Sequence, residues 1–304
     1  DYKAKVSEYY PNADAVAVWG GEDNDPPEFG KVFISLKPQN SDYLSEAEKK
    51  QVQDKLNQLN MLTVRPVIVD AEIVKILLTT AFKYNANDTT LSKGELETIV
   101  RNAIVNFDNT NLNNFDSIFR HSNLAKDIDA SNTAILSNIT NVRLEKRKLI
   151  EIGKSEGLVI NFGNGFFHPH DGHNSASGGI LTTTGFKVDG DTVNTYFFDE
   201  DGSGVVRRYS MQSGVRVFAD LAAGTIDYTS GKISIDAIKF TSTVNSDTSI
   251  DFTVLPSSDD VVAIRGSLID ISVDDIKVSG EVDTISSGES SAGVGYNSTS
   301  SSSY

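Results

Sequence analysis

The sequence predicts an α+β protein: a split β-α-β sandwich, then an all-β, sandwich-like module of short strands, then a flexible tail rich in serine and glycine. Three observations lead to this fold class. Between residues 31 and 147, apolar residues recur with the period of a strand and then with the period of a helix, and this succession occurs twice. From residue 150 onward only short β-rich runs remain, separated by Gly, Asp, Asn and Ser. Beyond residue 285 apolar residues nearly disappear.

The predicted sandwich domain covers residues 30–149, in the order strand, helix, strand, strand, helix, strand. Each helix begins at a capping box, in which a serine precedes a glutamate by three positions. Ser45 and Glu48 form the first box, and Ser92 and Glu95 form the second. The four strands are predicted at Lys31–Lys37, Thr63–Val69, Ile73–Tyr84 and within Thr133–Arg147.

The remaining segments are simpler. Residues 1–29 are predicted to form an N-terminal strand, Ala13–Trp19, followed by a turn-rich loop. A short additional helix is predicted after the second sandwich helix, from the apolar residues Leu112, Phe115, Ile118 and Phe119. Residues 150–285 form the predicted β-rich domain. Residues 286–304 form the predicted flexible tail, because they cannot bury enough apolar surface to offset the entropy lost on ordering.

Composition excludes several classes of function. The formal net charge of −15 argues against nucleic-acid binding, which needs clustered Lys and Arg. The one dense basic run, Arg143–Lys148, is interpreted as a solvated strand face or as an edge protected by charge. The chain has no Cys, which excludes disulfides and thiolate metal sites and fits assembly in a reducing cytoplasm. No apolar run is long enough to span a bilayer, so we expect no direct membrane insertion.

The strongest chemical candidate is a histidine cluster. Imidazole nitrogens and a carboxylate oxygen are ligands that zinc accepts. The cluster consists of His168, His170, Asp171 and His173. Because no His follows this cluster and glycines surround it, we interpret it as a polar loop. We expect no catalytic residue, no metal and no cofactor, and a metal-dependent hydrolase built on these four residues remains an alternative.

Other patterns have competing interpretations. Asp199–Ser203 is interpreted as an acidic hairpin turn rather than a calcium loop, because a bidentate Glu is missing from the twelfth position. A receptor- or carbohydrate-binding module is a second alternative. Its candidate aromatic residues are Tyr196, Phe197, Phe198 and Tyr209. Two apolar runs, Val215–Ala223 and Ile264–Val273, are candidates either for internal core or for a contact between two copies of the chain.

Two segments carry a resemblance to a known family. The sequence VWGGEDNDPPEFGKVFISLKP (Val18–Pro38) places a Gly/Pro-rich turn before a strand that ends in Lys-Pro. After the first helix follows RPVIVDAEIVKILLTTAF (Arg65–Phe82), a strand region that carries Pro-Val. This arrangement resembles the baseplate J family, the wedge proteins of contractile-tail phages and related injection machines. A hairpin in the β-rich part, Gly224–Ile233, is similar to hairpins of phage tail structural proteins.

The resemblance implies a structural role and no enzymatic activity. Such a protein would be assembled in the host cytoplasm and reside in the tail baseplate of the virion. Its expected partners are a second copy of itself, forming a homodimer, and other baseplate wedge proteins. The dimers would join a ring around the tail hub and shift during contraction. These expectations come from the family alone, since neither composition nor periodicity indicates them.

Overall fold

The computed structural model describes residues 2–24, 27–39, 43–58, 64–112, 114–168, 170, 179–264 and 266–285. The predicted flexible tail, 286–304, therefore lies outside the described residues. Helices and strands are mixed. The helices are α1 Tyr2–Tyr9, α2 Glu46–Asn57, α3 Lys93–Asn111 and α4 His121–Ala130. The strands are β1 Ala13–Gly20, β2 Lys31–Pro38, β3 Arg65–Asp70, β4 Glu72–Tyr84, β5 Ile118–Phe119, β6 Ile135–Leu149, β7 Ser155–Asn161, β8 Thr182–Thr183, β9 Phe186–Val188, β10 Asp191–Glu200, β11 Val205–Gln212, β12 Val215–Asp227, β13 Lys232–Thr243, β14 Ser249–Val254, β15 Val261–Val262, β16 Ser267–Ile271 and β17 Lys277–Val282.

The first sheet has three strands in the order β1-β2-β3. Strand β1 is antiparallel to β2, and β3 is parallel to β2. The parallel pair requires a crossover, and α2 provides it. Helices α1 and α2 and strands β1 and β2 bury one apolar cluster: Val6, Val16, Ile34, Leu36, Leu44, Val52 and Leu56. Alternate residues of the strands therefore face the helices, as the period of the sequence indicates.

Both predicted capping boxes are present. In the first, the Ser45 amide donates to Glu48 Oε2 at 2.9 Å, and the Glu48 amide donates to Ser45 Oγ at 3.3 Å. In the second, the Ser92 amide donates to Glu95 Oε2 at 2.7 Å, and the Glu95 amide donates to Ser92 Oγ at 3.4 Å. The beginnings of α2 and α3 are thus fixed by local sequence.

The four predicted sandwich strands form, but they do not lie in one sheet as the split β-α-β prediction requires. Strands β2 and β3 belong to the three-stranded sheet. Strands β4 and β6 belong to a second sheet, with the order β16-β4-β6-β14-β8 and with β17 parallel to β4. The partners β14, β16 and β17 come from more than 100 residues further along the chain. A local hydrophobic pattern does not encode such distant pairings.

The β-rich half is largely built around a small barrel. The strand order β12-β11-β10-β9-β13-β7 is closed by an additional pairing between β12 and β13. The hairpin predicted at Gly224–Ile233 is confirmed, because Asp227 pairs with Lys232 across the turn. Within the turn, Gly231 has a φ of 69°. This left-handed conformation suits glycine. Within the described residues of this half, strands predominate and Val273–Asp275 forms a short 3₁₀ turn.

Two short elements differ from the prediction. Helix α1 lies where only a strand and loop were expected. The additional helix predicted from Leu112, Phe115, Ile118 and Phe119 is wrong: residues 118 and 119 form β5, and helix α4 begins at His121. Leu112 and Phe119 are buried; Leu112 directly follows the end of α3 at Asn111, and Phe119 lies in β5. Burial accounts for these two apolar positions, whereas Ile118 is 43 % exposed.

The chain divides into two compact units. The first unit comprises residues 1–76, 111–119 and 143–270, and the second comprises 77–110, 120–142 and 271–304. The first contains the three-stranded sheet and the barrel. The second contains α3, α4 and β17. The predicted boundaries at residues 29/30, 149/150 and 285/286 remain a prediction about segments that fold on their own.

Candidate interaction surfaces

The histidine cluster is only partly within the described residues. Asp171 and His173 lie outside them. His168 stacks on the Tyr228 ring, with ring centroids 4.0 Å apart, and its Nε2 lies 2.9 Å from the Gly202 carbonyl oxygen. His168 thus has a fixed packing role. Within the part of the chain that the structure describes, no three His, Cys, Asp or Glu side chains converge as a metal site.

The acidic segment Asp199–Ser203 forms the turn between β10 and β11. The Asp201 carboxylate accepts hydrogen bonds from the Ser203 and Val205 amides at 2.7 and 3.1 Å. Glu200, which is fully buried, accepts from the Ile180 amide at 2.9 Å and from the Tyr228 hydroxyl at 2.6 Å. Burial and the hydrogen bond to Glu200 raise the pKa of Tyr228. These carboxylates stabilise a hairpin turn, as the sequence predicts.

Asp199 is the centre of a buried charge cluster. Arg207 Nε donates to one carboxylate oxygen at 3.0 Å, and Arg216 Nη1 donates to the other at 2.9 Å. Phe218 packs against the Arg207 guanidinium, and Tyr209 packs against that of Arg216. Burial raises the pKa of Asp199, and the two guanidinium groups oppose that rise. The cluster links β10, β11 and β12. We therefore interpret it as stabilising the pairing of these strands rather than as a reactive site.

The aromatic residues proposed for a receptor-reading surface do not form an exposed platform. Tyr196, Phe198 and Tyr209 are buried. Phe198 stacks on Phe252 in the core, whereas Phe197 stacks on Tyr209. Adjacent residues of β10 therefore point to opposite faces, as in any strand. These four side chains contribute to packing within the protein rather than to an exposed recognition surface.

The basic run Arg143–Lys148 lies in β6, which is an interior strand between β4 and β14. The interpretation as a protected edge is therefore wrong. Lys146 is buried and its Nζ lies 2.6 Å from Glu72 Oε2, while Arg147 donates to Asp251 at 2.7 Å. Lys146 and Arg147 thus pair with neighbouring carboxylates.

The two apolar runs behave differently. In Ile264–Val273, the residues of β16 are buried core, including Leu268 and Ile269. In Val215–Ala223, alternate side chains of β12 are exposed to solvent. We call this set the β12 stripe; it consists of Val215, Val217, Ala219 and Leu221. Leu221 is 66 % exposed and Val215 is 64 % exposed. A row of exposed apolar side chains on one strand face is typical of a surface that another protein covers.

Sequence reasoning missed a groove along β1. A cavity of about 800 Å³ is lined by residues 13–20 of that strand. The alternation of Ala13–Trp19 predicted a strand correctly, but nothing in it indicated that β1 would lie at a sheet edge. Only the strand order shows this.

Comparison with known proteins gives two matches. The family model described as "Baseplate structural protein gp6, C-terminal domain I" matches residues 1–69. The model described as "Baseplate structural protein gp6, C-terminal domain III" matches residues 73–147. The two matches meet between β3 and β4, where the chain passes from the three-stranded sheet to the second sheet. No curated protein matches the chain.

Proposed function

This chain carries C-terminal domains I and III of the baseplate structural protein gp6 family, and we propose that it is a wedge component which assembles into a ring around the tail hub of a contractile phage tail. The two family matches are the observation that carries the proposal. They agree with the resemblance seen in Val18–Pro38 and Arg65–Phe82. In this role the protein bears load through its interfaces and transmits conformational change on contraction.

The structure supports a mechanical role in one specific way. The first compact unit contains two sets of long-range contacts: a closed barrel, and the ion pairs of Asp199 with Arg207 and Arg216. Such a unit moves as a rigid body, because its packed core does not deform continuously. Motion during contraction would then occur at interfaces between subunits.

Self-association is the part of the proposed function that is easiest to test by experiment. The β12 stripe offers Val215, Val217 and Leu221 on one exposed face. An isologous contact would place this stripe against the same stripe of a second copy, with burial of apolar area as the driving force. We propose that the chain forms a two-fold dimer through this β-rich surface.

Equilibrium sedimentation over a wide concentration range tests the dimer. The native chain should sediment as a dimer, and Leu221→Asp should sediment as a monomer with an unchanged thermal melt. Val193→Asp is the matched control, because Val193 is 83 % exposed and lies on β10, outside the stripe. A native chain that stays monomeric at high micromolar concentration would exclude the dimer. A Leu221→Asp variant that remains dimeric would move the contact to another surface.

Electron cryo-tomography of extended and contracted tails tests the ring and the transmission of movement. The density of the chain should form a ring around the hub in both states and should change its orientation between them. A density that keeps its orientation would contradict the transmission role while leaving the ring in place.

A further inference from the structure

The outer edge of β1 has open hydrogen-bonding positions. The Gln39 amide donates to the Asn12 carbonyl at 3.1 Å, so the odd-numbered residues of β2 bond to β1. Their partners on β1 are Ala15, Ala17 and Trp19. Val16 and Val18 therefore turn their N–H and C=O groups away from the sheet. Among the described residues, no backbone hydrogen bond outside the ladder reaches these two.

The opposite edge of the same sheet is capped. The side-chain amide of Gln53, on α2, donates to the Pro66 carbonyl at 2.6 Å and accepts from the Ile68 amide at 3.1 Å. This pair of bonds satisfies the outward groups of β3 as a neighbouring strand would. Proteins usually block sheet edges in such ways, because an open edge binds other strands. Of the two edges of this sheet, β1 is therefore the one that is open to pairing with another strand.

The open edge faces the cavity of about 800 Å³ described above. Its lining includes three carboxylates and one ammonium group: Asp14 on β1 itself, and Asp23, Asp116 and Lys3 outside that strand. Asp14 and Asp116 are exposed. Asp116 has a φ of 63°, a conformation that residues other than glycine adopt rarely. Among the described lining residues, the groove thus combines outward-facing backbone groups of β1 with more carboxylates than ammonium groups.

We propose that this groove binds an extended segment of a partner protein, rich in Lys or Arg, as a fourth strand beside β1. Main-chain hydrogen bonds to Val16 and Val18 would provide affinity, and the carboxylates would select basic side chains. A second copy of β1 is disfavoured because it would bring the same carboxylates, Asp14 and Asp23, to a groove that already has more carboxylates than ammonium groups. The chain's own residues 286–304 contain no Lys or Arg. The inference does not depend on the proposed baseplate role.

Peptide binding to the full chain tests the proposal. The probe is an amidated octapeptide of alternating Lys and Val with an uncharged fluorescent dye on its N-terminus, and the control probe replaces every Lys by Glu. Fluorescence anisotropy should show saturable binding of the Lys peptide that weakens with added salt, and at least tenfold weaker binding of the Glu peptide. Amide hydrogen exchange measured by NMR should slow at Val16 and Val18 when the Lys peptide binds.

Substitutions separate backbone pairing from general charge attraction. Val18→Pro removes the outward N–H. Val18→Ala keeps that N–H and removes a similar amount of side-chain packing. The Lys peptide should bind Val18→Ala like the native chain and bind Val18→Pro about tenfold more weakly. The double variant Asp14→Asn, Asp116→Asn should lose most of the salt dependence.

Three results would overturn the proposal. One is equal binding of the Lys and Glu peptides. Another is binding without slower exchange at Val16 and Val18. The third is slow exchange at both amides in the free chain at concentrations where it self-associates, since that would assign the edge to a second copy. The exchange measurement on the native chain decides the question even if Val18→Pro does not fold.

Discussion

Buried and turn-forming carboxylates stabilise the β-rich half, and each has several hydrogen-bond donors. Asp199 has two guanidinium groups, and Asp191 accepts from the Tyr196 hydroxyl at 2.5 Å and from the Asn194 amide nitrogens. A charged group that leaves water needs such compensation. The acidic turn at Asp199–Ser203 could be predicted from its sequence. The arginine partner from β12 could not, because it depends on how three strands pair.

Arg207→Ala should destabilise the chain by about 3–5 kcal/mol, because it leaves the buried Asp199 carboxylate with one cation fewer. Urea unfolding would measure the change. Lys239→Ala is the control: its ion pair with Asp189 is at the surface, and its loss should cost about 1 kcal/mol or less. Equal effects of the two substitutions would show that the cluster around Asp199 does not brace the barrel strands.

Asp191 should make stability depend on pH. Hydrogen bonds from the Tyr196 hydroxyl, and then from Asn194 and Val193, lower the pKa of Asp191 below its ordinary value. A lowered pKa contributes stability that is present above the unfolded pKa of about 3.9 and is lost as the pH falls below it. Asp191→Asn should therefore flatten the fall in melting temperature between about pH 5 and pH 2. If the melting temperature of Asp191→Asn falls with pH as steeply as that of the native chain, the Asp191 carboxylate is not the group responsible.

At the scale of elements, local sequence specifies helix starts and strand existence but not sheet membership. The capping boxes of α2 and α3 form as predicted, because both partners lie within one turn. Strands β2, β3, β4 and β6 were located to within a few residues, yet they divide between two sheets. The partners of β4 and β6 come from the far end of the chain, and no short-range pattern encodes that choice. The edge position of β1 was missed for the same reason.

Gln53 should stabilise the edge of β3. Gln53→Ala removes both side-chain hydrogen bonds to β3 and should cost about 1–2 kcal/mol in urea unfolding. Gln51→Ala is the matched control, since Gln51 lies exposed on the same helix. We also expect Gln53→Ala to aggregate faster than Gln51→Ala, because it opens a second sheet edge. If Gln53→Ala and Gln51→Ala have the same stability and the same aggregation rate, the side-chain amide of Gln53 does not protect this edge.

At the scale of the whole molecule, the chain offers surfaces for assembly: the β12 stripe and the open edge of β1. The sequence singles out Val215–Ala223 as a candidate contact between two copies of the chain, whereas it did not indicate the open edge of β1. Within the described residues, no helix is long and apolar enough to cross a bilayer. The structural role comes from the family matches over residues 1–69 and 73–147.

The most direct test of the central claim, a structural role in the baseplate, is immunogold electron microscopy of purified contractile-tailed particles with an antibody against this chain. Gold should label the baseplate at the distal end of the tail, and should do so in nearly every particle. Label on the head or along the tail tube would contradict the account. So would the absence of the chain from purified particles while it accumulates in the cells that produce them.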